Sequence, residues 1–193
     1  TGPIIISENY VMPREARTPF DLEKDYFSRL EIFLIDFLKR VIAAECQFKR
    51  RHQLEFNSTY YPRIHTATHG WIDWSWDAHE IERFILAFDD PYPGARTSWN
   101  NQVAMLKKCQ LHIGEIGHHP FQRGMVIRNN GEWLVIALER EFTLLCETAL
   151  DTDGNDLIPR IREGDRFLSK TVSTESALET RVRINATGLV KND

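Results

Sequence analysis

From Tyr26 onward, apolar side chains return every three or four positions: Tyr26, Phe27, Leu30, Phe33, Leu34, Phe37, Leu38, Val41 and Ile42. That is the helical period. Upstream, Thr18-Pro19 followed by Asp21, Glu23 and Asp25 supplies a capping hydroxyl, a proline at the first helical position and acids in the first turn, where the helix dipole favours them. The pattern predicts a long amphipathic helix over 18–45 whose apolar face packs a core. Residues 47–70 lose the period, turn polar and close on Gly70, and read as a linker or surface strap. Asp77 with Glu80 three positions on then opens a short helix carrying the stripe Ile81, Phe84, Ile85 and Phe88.

After that helix the period changes. Asp89-Asp90-Pro91-Tyr92-Pro93-Gly94-Ala95 is irregular, because each proline fixes φ and removes a donor while Gly94 permits a tight bend. Strands are predicted over 95–99 and 102–108 around the hairpin dipeptide Asn100-Asn101, over 124–128 and 132–138 around Asn129-Asn130-Gly131, and over 141–147. Five or six short strands at turn-punctuated intervals make a small barrel or sandwich. Residues 157–168 read as a short C-terminal helix, and 171–193 have no clear pattern.

Of 193 residues, 42% are hydrophobic and 27% charged, which suits one compact domain or slightly more and excludes disorder, collagen and coiled coil. No apolar run approaches the roughly 18 residues of a membrane span; the run 32–38 is already broken by Asp36. Cys46, Cys109 and Cys146 are odd in number and widely spaced, so a soluble chain in a reducing, cytoplasmic setting is expected. The opening Thr1-Gly2-Pro3-Ile4-Ile5-Ile6 has no initiator Met and no polar leader and reads as mid-chain, so a fragment is expected. Residues 1–70 hold 10 Lys and Arg against 9 Asp and Glu, whereas 71–193 hold 14 against 19. A protein that grips nucleic acid through phosphates needs a basic face, and only Lys39-Arg40 with Lys49-Arg50-Arg51 approaches one. We read those as solvated charges at a helix end.

Chemistry-bearing residues are few. His65 and His69 lie four apart and His118-His119 precede Pro120, but Pro62, Thr66, Thr68 and Gly70 disfavour a helix and no Cys or carboxylate stands at ligand spacing. Residues 151–156 resemble a calcium loop only faintly, with Gly154 two positions early and Arg162 where the twelfth-position Glu belongs, so a turn is expected. No metal site is therefore expected. Phosphate loop, serine elbow and supported Cys-His pair are all missing, so no catalytic residue is assigned. Trp71, Trp74 and Trp76 read as packing residues, whereas Tyr92, projected between two prolines, can hold a flat ring against a base at little entropic cost.

The order of the pieces Thr1-Gly2-Pro3-Ile4, Thr18-Pro19, Gly70-Trp71-Ile72-Asp73-Trp74, Phe84-Ile85-Leu86-Ala87-Phe88 and Pro91-Tyr92-Pro93-Gly94-Ala95 resembles the rear half of the 10-formyltetrahydrofolate-dependent formyltransferases, over about residues 1–168. The resemblance implies an α+β chain. Residues 1–46 would end a Rossmann-like catalytic domain, 47–70 form a strap, 71–170 an OB-like open barrel, and 171–193 a tail of unknown structure. It also implies that the catalytic Asn, His and Asp precede Thr1, leaving this polypeptide inert. Thr1, Gly2 and Pro3 would then be folate-loop residues. The acidic balance of the second half favours a small acceptor. Tyr60-Tyr61-Pro62-Arg63 and Phe88-Asp89-Asp90-Pro91-Tyr92 resemble the branch of the family that acts on nucleotide-linked amino sugars, and that resemblance implies the amine of such a sugar as acceptor, Tyr92 on the nucleobase and Arg63 or Arg96 near the diphosphate. The rival readings are the same region of a methionyl-tRNA formyltransferase, with tRNA as partner, and a non-catalytic binding or homodimerisation module that presents the three tryptophans.

Overall fold

The computed structural model describes residues 2–43, 49–185 and 188–190. It falls into two compact units, Thr1–Pro62 and Arg63–Asp193. In the first, α1 (Pro19–Ile42) begins as predicted. The Thr18 hydroxyl accepts the Asp21 N–H at 3.2 Å; in return the Asp21 carboxylate accepts from the Thr18 hydroxyl at 2.7 Å and from the Thr18 N–H, and these two bonds hold the Asp21 pKa below the usual carboxylate value. Lys39 and Arg40 occupy the last turn, where they complement the dipole. The expected core packing is absent: none of the 24 residues of α1 is buried, and Phe27, Leu34, Leu38 and Val41 stay exposed. Residues 49–62 are irregular apart from a 3-10 turn at Glu55–Asn57, and Arg51 pairs with Ile4 through two 2.9 Å backbone bonds.

The second unit holds the buried core. It opens on a single helical turn, α2 (Thr66–His69), where the sequence predicted none, followed by α3 (Ala78–Ala87) capped by the Asp77 carboxylate on the His79 N–H. Five antiparallel strands come next in the chain: β1 (Ala95–Trp99), β2 (Gln102–His118), β3 (Val126–Asn129), β4 (Leu134–Ala137) and β5 (Arg140–Leu150), in the spatial order β1-β2-β5-β4-β3. Asn100 and Asn101, both at positive φ, make the predicted hairpin turn. Ile72, Ile81, Ile85, Leu106 and Leu144 fill the space between α3 and the sheet with no exposed surface to speak of.

The sheet and the segment that follows it depart from expectation at two places. The strand predicted to stop at 108 runs on to His118, because the buried set switches parity on the way: Ala104 and Leu106 point inward, then Cys109. Lys108 sits at the switch in the left-handed region, φ 50°. The β2–β5 register continues unbroken through it, from Met105 opposite Leu150 to Ile113 opposite Phe142. The helix expected over 157–168 is only a 3-10 turn, Ile158–Arg160, since Pro159 sits inside it and Gly164 at φ 90° turns the chain away. Beyond Gly164 the chain is extended. Residues 165–168 bond to both edges of the sheet, Val126 N–H to the Asp165 carbonyl at 2.8 Å, Phe167 N–H to Gly124 at 2.8 Å and Leu168 N–H to Ser98 at 2.9 Å. A Cβ at Gly124 would lie 2.3 Å from the Phe167 carbonyl, so only glycine admits this approach.

The tail that lacked a pattern contains α4 (Thr171–Glu179) and the short hairpin β6 (Arg183–Asn185) and β7 (Gly188–Val190). Among the described residues no helix is long and apolar enough to cross a membrane.

Candidate functional site

The loop between α3 and β1 is built around one buried carboxylate. Asp89, 1% exposed, accepts the Asp90 N–H at 2.7 Å on one oxygen and the Lys108 N–H at 2.6 Å on the other. The second bond captures the backbone at the parity switch of β2. Farther along the same strand, Glu82 of α3 does the same for the Leu111 N–H at 2.7 Å. β1 stops pairing at Leu106, so these carboxylates supply the acceptors that a neighbouring strand would have offered. Lys107 then ties the loop from above. Its ammonium bonds the Asp90 carboxylate and, at 2.8 Å, the Tyr92 carbonyl, with Asp89 3.8 Å away. Tyr92 also donates its N–H to the Asp89 carbonyl at 2.9 Å, leaving its side chain half exposed at 46%.

The other expected contacts fall elsewhere. Arg96, on β1, donates to the Ala67 carbonyl and lies 4.8 Å over the Trp71 ring, and its desolvation depresses the guanidinium pKa. Its Nε is buried without a partner. No hydrogen bond or ring contact joins Arg96 to Tyr92 among the described residues, and Arg63 is exposed at the start of its unit. Gly2 and Pro3 are exposed in the first unit, the Gly2 carbonyl accepting from Gln53 at 2.8 Å, and Thr1 lies outside the described residues. Trp74 is 7% exposed, stacks on Phe167 and donates its indole N–H to the Thr97 hydroxyl at 2.9 Å, so it belongs to the core and cannot form part of an outward tryptophan interface. Trp76 packs edge-on to Phe84.

Histidines and the acidic turn hold structure. The His69 ring accepts the His65 N–H at 2.9 Å and meets the Thr180 carbonyl at 2.9 Å, joining α2 to the end of α4. Asp151 accepts from the side chain and backbone of Asn155 and from the Asp153 N–H, the turn expected from sequence. Cys109 and Cys146 are buried directly opposite each other, where burial pushes the Cys109 thiol up, and Cys46 lies outside the described residues. Among the described residues no group of three His, Cys, Asp or Glu is placed to hold a metal ion.

Beside Asp21 in the first unit, two carboxylates give the second unit an acid-sensitive edge. Hydrogen bonds from Asn155 to Asp151, and from the His79 N–H to Asp77, lower both pKa values below 3.8. A depressed folded-state pKa stabilises above the unfolded value and is lost as pH falls through the folded one. Thermal melts between pH 7 and pH 2 should therefore show the midpoint falling once the pH passes below 3.8. Asp151→Asn and Asp77→Asn together should flatten that fall, and an unchanged profile in the double variant would refute the assignment.

Sequence reasoning missed Asp89, Glu82 and Lys107. One signal was present: Asp89-Asp90 follow directly on a helix C-terminus, where the dipole disfavours carboxylates.

Comparison with known proteins bears on this body of the chain. Residues 65–156 match the family described as formyl transferase, C-terminal domain. A methionyl-tRNA formyltransferase of Cereibacter sphaeroides is 30% identical over 116 residues, 60% of this chain but 36% of the relative, so the chain spans about a third of that relative's length. Crystal structures of HypX from Aquifex aeolicus are similar at lower level. The complex with tetrahydrofolic acid has 17% identity and TM-score 0.45 over 76% of this chain and 22% of HypX, and a multiple variant has 18% and 0.44 over 62% and 19%. The matched stretch runs from α2 through α3 and all five strands of the sheet, so it is this body of the chain that is similar to the formyl transferase C-terminal domain.

Proposed function

We propose that the chain is the acceptor-side part of a formyltransferase whose formyl donor is 10-formyltetrahydrofolate. Residues 1–46 would end its Rossmann-like catalytic domain, 47–70 form a strap, 71–170 an OB-like barrel that receives the amine acceptor, and 171–193 a tail. The observation that carries this is the family match over the α3-and-sheet body. A second one supports it: no residue of α1 is fully buried, and an amphipathic helix that leaves Phe27, Leu34, Leu38 and Val41 exposed gains stability from a partner surface, which the rest of a catalytic domain would supply.

Formyl transfer needs a neutral amine, a base or relay to take its proton, and donors for the tetrahedral oxyanion. Among the described residues none is assigned such a role. Gly2 and Pro3 face open surface, where a Cβ on Gly2 would meet nothing within 4 Å, so these residues do not enclose a folate. The chain's own contribution is to bind the acceptor.

The curated relative favours an aminoacyl-tRNA acceptor. Charge favours the other reading, a nucleotide-linked amino sugar, since residues 63–193 carry 15 Lys and Arg against 19 Asp and Glu and phosphate-gripping surfaces are basic. Filter binding of initiator tRNA at low and high salt, beside calorimetry with dTDP and UDP, decides between them. Capture of tRNA that weakens steeply with salt is the expected result. Saturable binding of dTDP or UDP without tRNA capture would overturn it in favour of the sugar nucleotide. In either case Tyr92→Ala should weaken the bound nucleotide species about tenfold, the scale of one lost base–aromatic stack.

A further inference from the structure

The Tyr92 loop is held by one cation, and that cation is engaged by acceptors of the loop itself. Lys107 is 12% exposed, and its ammonium is spent on the Asp90 carboxylate and the Tyr92 carbonyl with Asp89 at 3.8 Å. An ammonium has three donors, and here two of them bond acceptors of the same loop while the Asp89 carboxylate, 3.8 Å away, adds an ion pair. Mostly buried and paired with two carboxylates, the ammonium is committed to the loop rather than offered to a phosphate. The loop's return also rests on the lysine: a Cβ at Gly94, φ 116°, would lie 2.8 Å from the Lys107 Cγ, so the chain passes directly over the stem. Both peptide groups of Tyr92 are thus fixed, the N–H on Asp89 and the carbonyl on Lys107, while the ring keeps 46% of its surface. A fixed backbone under a free ring is a preordered contact, which has only two side-chain torsions left to lose on binding.

We propose that Lys107 is the positioning residue of the acceptor site, holding the Tyr92 ring where the acceptor's nucleobase stacks. The inference rests on the reading above that Tyr92 meets that base. It assigns Lys107 no contact with the ligand. Asp90, 54% exposed at its side chain, is the outer half of the same clamp.

The test uses the full chain, with UDP, dTDP and initiator tRNA as probes and the probe that wild type binds carried forward. Lys107→Met should weaken binding about tenfold, comparable to Tyr92→Ala, and the double variant should be no weaker than Tyr92→Ala alone, because both changes remove one ring contact. Affinity should keep its wild-type dependence on salt in Lys107→Met, since no phosphate contact is lost, and hydrogen exchange at the Tyr92 amide should speed up. If Lys107→Met fails to fold, Asp90→Ala reports instead and should weaken binding in the same non-additive way. Additive losses, a shallower salt dependence, or wild-type affinity in Lys107→Met would overturn the inference while leaving Tyr92 in the site. Unchanged affinity in Tyr92→Ala, or no binding of any probe by wild type, overturns the reading of Tyr92 and the role of Lys107 together.

Discussion

A chain shortened to end at residue 163 is expected to lose its cooperative unfolding transition, whereas one ending at residue 170 keeps it. The family match stops at 156, but the core does not. Phe167 has no exposed surface and stacks on Trp74 at 6.1 Å between ring centres, in nearly parallel planes 12° apart. Its neighbours bond to β3 on one side and β1 on the other, the two strands that end the sheet order. Removing 164–170 therefore opens both edges and empties the largest buried site in one step. Phe167→Ala isolates the second of these effects. Deleting a fully buried aromatic ring costs about 3–5 kcal/mol through lost transfer energy and the cavity left behind, so urea denaturation should show a lower midpoint with an unchanged slope. A loss under about 1 kcal/mol, within the range of surface substitutions, would mean that the site collapses around the deletion or is not core.

Replacing Asp89 by alanine should cost about 3 kcal/mol, more than any exposed carboxylate in the chain, because the partners it leaves behind stay desolvated. Two backbone N–H groups, of Asp90 and Lys108, would lose their acceptor, and Lys107 would lose one of two carboxylates beside a mostly buried ammonium. Asp89→Asn separates the terms: it keeps an oxygen for one N–H and removes the charge, so an intermediate loss is expected. Chemical denaturation of the three proteins at pH 7 checks the order. Equal stability of Asp89→Ala and wild type would show that water replaces the carboxylate, and the account of the loop would fail.

Local signals carried much of the fold. Thr18-Pro19 with Asp21 marked the start of α1, Asp77 marked that of α3, and Asn100-Asn101 marked the β1–β2 hairpin, because caps and tight turns depend on side chains within three residues of the backbone they satisfy. The irregular stretch around Pro91, Tyr92 and Pro93 was legible for the same reason. The clamp beneath it was not, since Asp89 and Lys107 stand 18 positions apart and meet only when β2 folds back beside α3. Arg96, legible as a cation, is turned onto Ala67 and Trp71 by neighbours that no local rule names.

The amino-acid order by itself determined where α1 and α3 begin, where the chain turns at Asn100-Asn101 and bends around Pro91 and Pro93, and where an aromatic ring would be offered to solvent. The tertiary structure alone decided how far β2 runs, which way its faces turn after Lys108, and that residues 165–168 span the sheet edges as extended chain. The physical reason is common to all three. Alternation names a buried face only while a strand keeps one side inward, and here a carboxylate from another element holds the backbone at the point where that side changes. Likewise, 165–168 is extended because two unpaired edges bond it, a demand that comes from β1 and β3, far back in the chain, and outweighs the segment's own preference.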